Sequence, residues 1–373
     1  MRGHRTAQTS LLTLLDVESR IPKHHPIREV KRLIHQVFRE LDSHFEDLYA
    51  DKGRASIPPE RLLGAKVLMA LYTVRSDRQF CERLRYDLLF QWFLDINPDE
   101  PEAIFDASSF SKNQTRLLGH ATTEVFFAQV VELARAGRWM SNEHFSVDGT
   151  LIEAWASMKS FRPKDEPPQG PGAGNSWQDF HGEKRSNQTH ESTTDPEAKL
   201  LRKGPGKEAK LCFAGHAIME NRHGLCVHFQ VTPSVGVTES TTALVQLDEL
   251  EDRGFVPTSV GADKNYHNAE FVQGCREAGI APHVAEVKDR QVAGFDGRSK
   301  KKSYQTSQRI RKRIEEIFGW VKTTGGLRKT RYRGVERTNA CAQMVAATYN
   351  LLRLAKLGLQ ALTEPPPLAV VGA

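Results

Sequence analysis

AKLCFAGHAIMENRHGLCVHFQVTP, residues 209–233, decides the architecture. Two apolar runs rich in Phe, Val and Ile flank the turn residues of positions 221–224, so the stretch reads as a β-hairpin. Upstream, HFSVDGTLIEAWA (144–156) begins in apolar–polar alternation and reads as a strand carrying an acid, Asp148. Downstream, TESTTALVQLDELEDRGF (238–255) reads as a capped helix that stops at Gly254. TSVGADKNY (258–266) is then a strand running into Asp263, HNAEFVQGCREAG (267–279) a helix, and IAPHVAEV (280–287) a strand. A strongly basic helix is predicted over 306–323, and a last helix from Glu336.

The order is therefore β-β-β-α-β-α-β-α. It predicts an α/β domain of the ribonuclease-H-like kind, a mixed sheet with helices on both faces. Between the first two strands, residues 159–209 are rich in Pro, Gly, Ser, Asn, Gln and charge, with almost no apolar periodicity. They read as a flexible insertion.

The N-terminal part reads as all-helical. Pro26 opens an amphipathic helix with Ile27, Val30, Leu33, Ile34, Val37, Phe38, Leu41 and Phe45 at helical spacing. IPPERLLGAKVLMALYTV (57–74) is a second, Ser76 a capping-box start for a third, SSFSKNQTRLL (108–118) a fourth, and a fifth ends at Gly137. Short helices with short turns suit a helix-turn-helix-like module. The expected divisions are an N-terminal arm and helix (1–50), a helical DNA-binding domain (51–138), a catalytic domain (140–356) and a tail (357–373).

The 373 residues are 39% hydrophobic and 26% charged, a globular composition. Five cysteines, odd in number and without a Cys-x2-Cys pair, argue against a disulfide framework. His216, His223 and His228 crowd the hairpin with Cys212 and Cys226, in a spacing that matches no standard zinc pattern. No apolar window reaches membrane-spanning length, and the opening Leu run is too short for an export signal, so a cytoplasmic protein without a membrane partner is expected.

In a ribonuclease-H-like topology the first and fourth strands lie side by side, and the helix after the fifth packs over their ends. This chain has an acid at each of those places: Asp148, Asp263 and Glu315. Hard carboxylate oxygens suit magnesium. Two such ions about 3.5–4 Å apart steady the attacking and leaving oxygens of a phosphodiester displacement. Glu316 rivals Glu315. Arg311, Glu315, Phe318 and Lys322 stand at i, i+4, i+7 and i+11, which favours Glu315 as the acid flanked by cations.

At these residues the chain resembles a bacterial insertion-sequence DDE transposase, of the insertion-sequence-five group within the insertion-sequence-four-like superfamily. FSVDGTLIEAWAS (145–157) resembles the first-Asp motif, and VGADKNYHNAEF (260–271) the second. RIRKRIEEIFGWVKTTGGLRKTRYRG (309–334) is similar to the Glu-helix block. Arg311, Glu315 and Lys322 fit the superfamily's Tyr-x2-Arg-x3-Glu-x6-Lys signature, while position 308 is Gln where the signature has Tyr. The long insertion lies between the first two strands here, whereas better-known members carry theirs before the Glu helix.

The resemblance implies metal-dependent cleavage at transposon ends and transfer of the freed 3′ hydroxyl into target DNA. Asp148, Asp263 and Glu315 would be both catalytic and metal-binding, holding two magnesium ions for which manganese can substitute. Partners would be double-stranded DNA, as terminal inverted repeats and as target, and at least one further copy of the chain. DNA contacts are expected from Arg311 and Lys322 near the scissile bond, then Arg328, Lys329, Arg331 and Arg333. Trp155 and Trp320 read first as core residues and second as base-stacking platforms. A catalytically dead DNA-binding relic and a ribonuclease-H-like nuclease are the alternatives.

The charge distribution agrees. The whole chain is +6, yet residues 298–337 hold 14 Lys or Arg against 3 acids. That strip is +11 and the remainder −5. Concentrated positive charge beside an acidic centre is what phosphate-backbone binding needs.

Overall fold

The computed structural model describes residues 16–48, 56–98, 103–119, 121–165, 185–202, 204, 206–236, 238–288, 290–295 and 301–363. The early Leu run, residues 166–184 of the insertion, Arg298 and Lys300 of the basic strip, and the tail from 364 lie outside them.

Eight helices come first: α1 (Val17–Arg20), α2 (Pro26–Glu40), α3 (Asp42–Asp47), α4 (Pro59–Leu71), α5 (Asp77–Leu84), α6 (Leu88–Phe93), α7 (Ala107–Gly119) and α8 (Thr122–Ala136). Helix α2 buries Ile27, Val30, Leu33, Ile34 and Val37, the stripe its spacing predicts. Nearly every residue of α4 from Leu62 to Ala70 is buried, so it is the axle of this block. Gly64 lets α6 come close, because a Cβ there would meet Leu94 at 2.8 Å. Ser76 caps α5 by accepting from Gln79 N at 3.3 Å, and Asp87 caps α6. Phe80 stacks against Phe90 and Phe110 between α5, α6 and α7.

The second half holds β1 (His144–Glu153), β2 (Phe161–Pro163), β3 (His190–Ser192), β4 (Lys199–Arg202), β5 (Ala209–Glu220) and β6 (Leu225–Pro233). Then follow α9 (Glu239–Asp252), β7 (Ser259–Ala262), α10 (Ala269–Glu277), β8 (Ala281–Val284), α11 (Lys302–Ile310), α12 (Ile314–Lys322) and α13 (Val335–Thr363). The main sheet runs β4-β5-β1-β7-β8, with β6 also on β5. Strand β1 is antiparallel to β5 and parallel to β7, so the predicted neighbourhood of first and fourth strands is found. The insertion read as a loop contributes more than that. Strands β2 and β3 form a separate ribbon, and β4 extends the edge of β5.

Helices α11 and α9 lie on opposite faces of the sheet. Gly261, opposite Ser146, faces α11, where a Cβ would meet Ser307 and the Arg311 Cβ at 3.0 Å. Gly149 faces α9, where a Cβ would meet Glu239. Residues 146 and 149 differ by an odd number and so point to opposite sides of a strand.

Helix α13 ties the halves together. It packs on β6 and α12 and, more extensively, on α2, α4 and α8. Asn350 is fully buried and answers both backbone groups of Cys226, accepting from its N–H at 2.9 Å and donating to its carbonyl at 2.7 Å. Asn339 accepts from Val231 N at 2.9 Å, so side chains of α13 satisfy the outer edge of β6. No described helix is long and apolar enough to cross a membrane.

Candidate active site

The register of β1 on β7 pairs Ser146 with Gly261. Two residues further on, Asp148 and Asp263 stand level at the point where β7 ends and β1 continues along β5. Asp263 leads a 3-10 turn over Lys264–Tyr266, and its Oδ1 accepts from Asn265 N at 2.8 Å. Asp148 Oδ1 accepts from Gly149 N at 2.7 Å. Asp148 is half-buried. Burial pushes its carboxyl up to about 7, against the Gly149 hydrogen bond, and the charges of Asp263, Glu239 and Glu315 add to the rise.

The helix that carries the third acid differs from expectation. A single helix over 306–323 is interrupted at Arg311–Arg313 by a 3-10 turn, leaving α11 before it and α12 after it. Each 3-10 residue turns the chain by about 120° rather than about 100°. The turn therefore displaces Arg311 from the face of Glu315, Phe318 and Lys322, which all lie within α12; there Phe318 is buried in the core while Glu315 is exposed in the first turn. Glu315 still lies near enough for its charge to act on Asp148. Glu316 is turned elsewhere. Its Oε1 lies 3.7 Å from Nε of Arg313, which also donates to the Asn221 carbonyl in the hairpin turn.

Gln308, at the Tyr position of the signature, has a structural task. Its amide donates to the carbonyls of Ala262 and His283, and its Oε1 accepts from Arg311 Nε at 2.8 Å. This stitches α11 to the strand ends beside Asp263 and fixes the Arg311 side chain.

A residue that sequence reading took only as the start of a capped helix joins this group. Glu239 is the first residue of α9, and a Cβ on Gly149 would stand 2.5 Å from its Oε1. Its Oε2 accepts from Asn265 Nδ2 at 3.4 Å. Burial raises its carboxyl, with the Asp263 charge adding and the Asn265 bond opposing. The Thr-Glu-Ser start gave a helix-capping signal, which hid the second use of the acid.

Hard oxygen donors crowded by like charge suit a divalent cation. The buried Tyr266 hydroxyl, beside Glu239, Asp148 and Asp263, has no hydrogen-bond partner. Among the described residues, no three His, Cys, Asp or Glu are gathered closely enough to close a metal shell, and that includes the His and Cys of the hairpin. The donor chemistry fits a metal; closing the shell requires these side chains to draw together.

The basic strip continues from α12. Backbone bonds join Glu153 N to the Arg328 carbonyl at 3.0 Å and Thr330 N to the Glu153 carbonyl at 2.8 Å, laying Arg328–Thr330 beside the end of β1. Arg328, Lys329 and Arg333 are exposed, and Lys322 is partly so. Lys329 Nζ lies 5.9 Å from the ring of Trp155, which is 52% exposed, contrary to its reading as a core residue. Trp320 packs against Tyr349, as expected of a core residue. Arg331 is placed differently from its neighbours. It bonds the Arg75 carbonyl and the Tyr332 hydroxyl and pairs with Asp77 at 3.3 Å, so a phosphate contact would compete with these partners.

Residues 15–116 match a family described as "Transposase domain (DUF772)", and residues 177–351 match "Transposase DDE domain". The second span contains Asp263 and Glu315; Asp148 lies between the two. No curated protein matches the chain. A solved piggyBac transposase synaptic complex with hairpin DNA is 9% identical, over 93% of this chain and 83% of that one, with a TM-score of 0.36. A Mos1 transposase paired-end complex is 11% identical, over 77% and 85%, with a TM-score of 0.20. Likeness at that level adds nothing to the assignment.

Proposed function

We propose that this chain, which belongs to the DDE transposases, uses Asp148, Asp263 and Glu315 as its metal-binding acids. The DNA transposase activity is that of the family; the residues, the ion and the DNA contacts are our reading. It rests on one observation: the parallel register of β1 on β7, carried two residues on, sets Asp148 on β1 level with Asp263 just past the end of β7, with the charge of Glu315 acting on Asp148 from α12. The insertion-sequence-five group is the member class we infer, on the three sequence blocks.

Enzymes of this family work with divalent cations, and magnesium is the ion we assign. When bound, a pair of such ions lowers the pKa of the attacking water and steadies the departing oxygen. Asp148 supplies a carboxylate from the interior of the sheet, Asp263 one from the strand end, and Glu315 one from the helix. The strands make the first two rigid, while the third depends on how α12 is held. Gln308 anchors α11, which leads through the 3-10 turn into α12, to the Ala262 and His283 carbonyls. Water attack on a transposon-end phosphodiester frees a 3′ hydroxyl, and that hydroxyl then displaces a 3′ oxygen in target DNA. One phosphodiester forms as one breaks, so joining needs no external energy source.

Arg328, Lys329 and Arg333 supply backbone contacts that position the duplex without reading its sequence. Arg311, whose Cβ lies against Gly261, and Lys322 we assign to phosphates near the scissile bond, and Arg331 braces the strip against the α4–α5 block. Trp155 beside Lys329 offers a stacking platform. The terminal inverted repeats are the specific partner, read by the helical block, and pairing two ends calls for two copies of the chain. The bacterial cytoplasm is where such a protein meets its DNA.

Asp148→Ala, Asp263→Ala and Glu315→Ala should each abolish cleavage of a labelled transposon end while retaining its gel-shift. Wild-type cleavage by the Asp148→Ala protein would sink the assignment.

A further inference from the structure

We propose that Glu239 is a fourth metal-binding carboxylate of this site, oriented by Asn265, with the unpaired Tyr266 hydroxyl beside it as the donor that the bound state would engage. This rests on reading Asp148 and Asp263 as metal-binding acids.

Glu239 reaches the strand edge from the face opposite Glu315. Between the end of β7 and the Arg328–Thr330 segment bonded at Glu153, no described strand pairs that edge of β1, and there the Glu239 carboxylate lies against the backbone of Gly149. Any side chain at 149 would take its place. Helix α9 does not need Glu239 as a cap, because Thr238 Oγ1 already accepts from Thr241 N at 3.1 Å. Asn265 couples the acids, giving its backbone N–H to Asp263 and its side-chain amide to Glu239.

Tyr266 is the independent sign that something is to be bound here. It is 1% exposed, its hydroxyl has no partner, and it lies within electrostatic reach of Glu239, Asp148 and Asp263. A buried hydroxyl left unpaired in a finished fold is costly. Carboxylates drawn inward around a cation, or water held on that cation, would give it an acceptor. Four acids around one edge, two from strand β1 and the end of β7 and one from a helix on each face, can hold a cation without waiting for α12 alone.

The test is calorimetric titration of manganese into the full chain without DNA. Glu239→Gln, which keeps the shape and removes the charge, should weaken manganese binding about 10–100-fold. Gly149→Ala should weaken it similarly by displacing the carboxylate, and combining the two should add little. Tyr266→Phe should weaken it by a smaller factor. Wild-type affinity in Glu239→Gln, with binding lost in Asp148→Asn, overturns the proposal and leaves the three-acid reading standing. Wild-type affinity in Asp148→Asn as well overturns both.

Discussion

Replacing Asp148 by Asn should make the metal-free protein more stable, although it destroys the proposed site. The argument is one of linkage. Burial holds the folded carboxyl near about 7, while the unfolded chain has it at 3.8. Between those values the unfolded state binds fewer protons than the folded state, so stability falls as pH rises from 3.8 to about 7. Above that the full penalty remains. At about 1.4 kcal/mol per decade, the gap amounts to about 4 kcal/mol. Asparagine keeps an acceptor for Gly149 N and carries no charge, so it should recover much of that amount at pH 8. Chemical unfolding of both proteins in chelator, from pH 4 to 8, measures the difference. It should be near zero at pH 4, grow to pH 7 and then level off. Magnesium should stabilise the wild type and leave the Asn variant unmoved. A variant less stable than wild type at pH 8, or a difference independent of pH, would refute the reasoning.

Two further outcomes follow from buried polar groups. Burial, with the Arg331 charge adding, lowers Lys66 from 10.5 to about 8, although Asp77 lies 3.2 Å away and Gln114 accepts at 2.6 Å. Between pH 8 and 10.5 the unfolded state binds the extra proton, so wild-type stability relative to Lys66→Met should rise by about 3 kcal/mol across that window in urea unfolding. Asn350→Leu orphans the N–H and carbonyl of Cys226, and should lower unfolding free energy by about 2–5 kcal/mol. A loss below about 1 kcal/mol in guanidinium unfolding would count against the helix-to-edge bonds.

Much of this was legible because it depends on local patterns. The hairpin declared itself by its turn residues, and α2, α5 and α9 by their caps. The alternation of later elements placed Asp148 and Asp263 on neighbouring strands. What stayed hidden depends on neighbours. Strand β4 is only four residues long, too short to show a period of its own, and is a strand because the edge of β5 offers it bonds. The 3-10 turn at Arg311–Arg313 sits where the chain passes close over Gly261, a tertiary approach that no helical periodicity reveals. Glu239 looked like a helix start, because the glycine that makes room for it lies on another strand. Arg331 resembled the other basic residues of its strip until Asp77 and Tyr332 came beside it.

Helix α13 also sets the order in which the molecule can be finished. It covers the apolar stripe of α2, made near the start of synthesis, and the edge of β6. Roughly 300 residues separate α2 from α13, so at about 5–20 residues per second the stripe waits about 15–60 s on the ribosome for its cover. A copy of the gene interrupted before Val335 would release a chain whose α2 stripe keeps only its contact with α8 and whose β6 edge is bare. Such a product should aggregate or be degraded before it could compete with the intact protein for DNA.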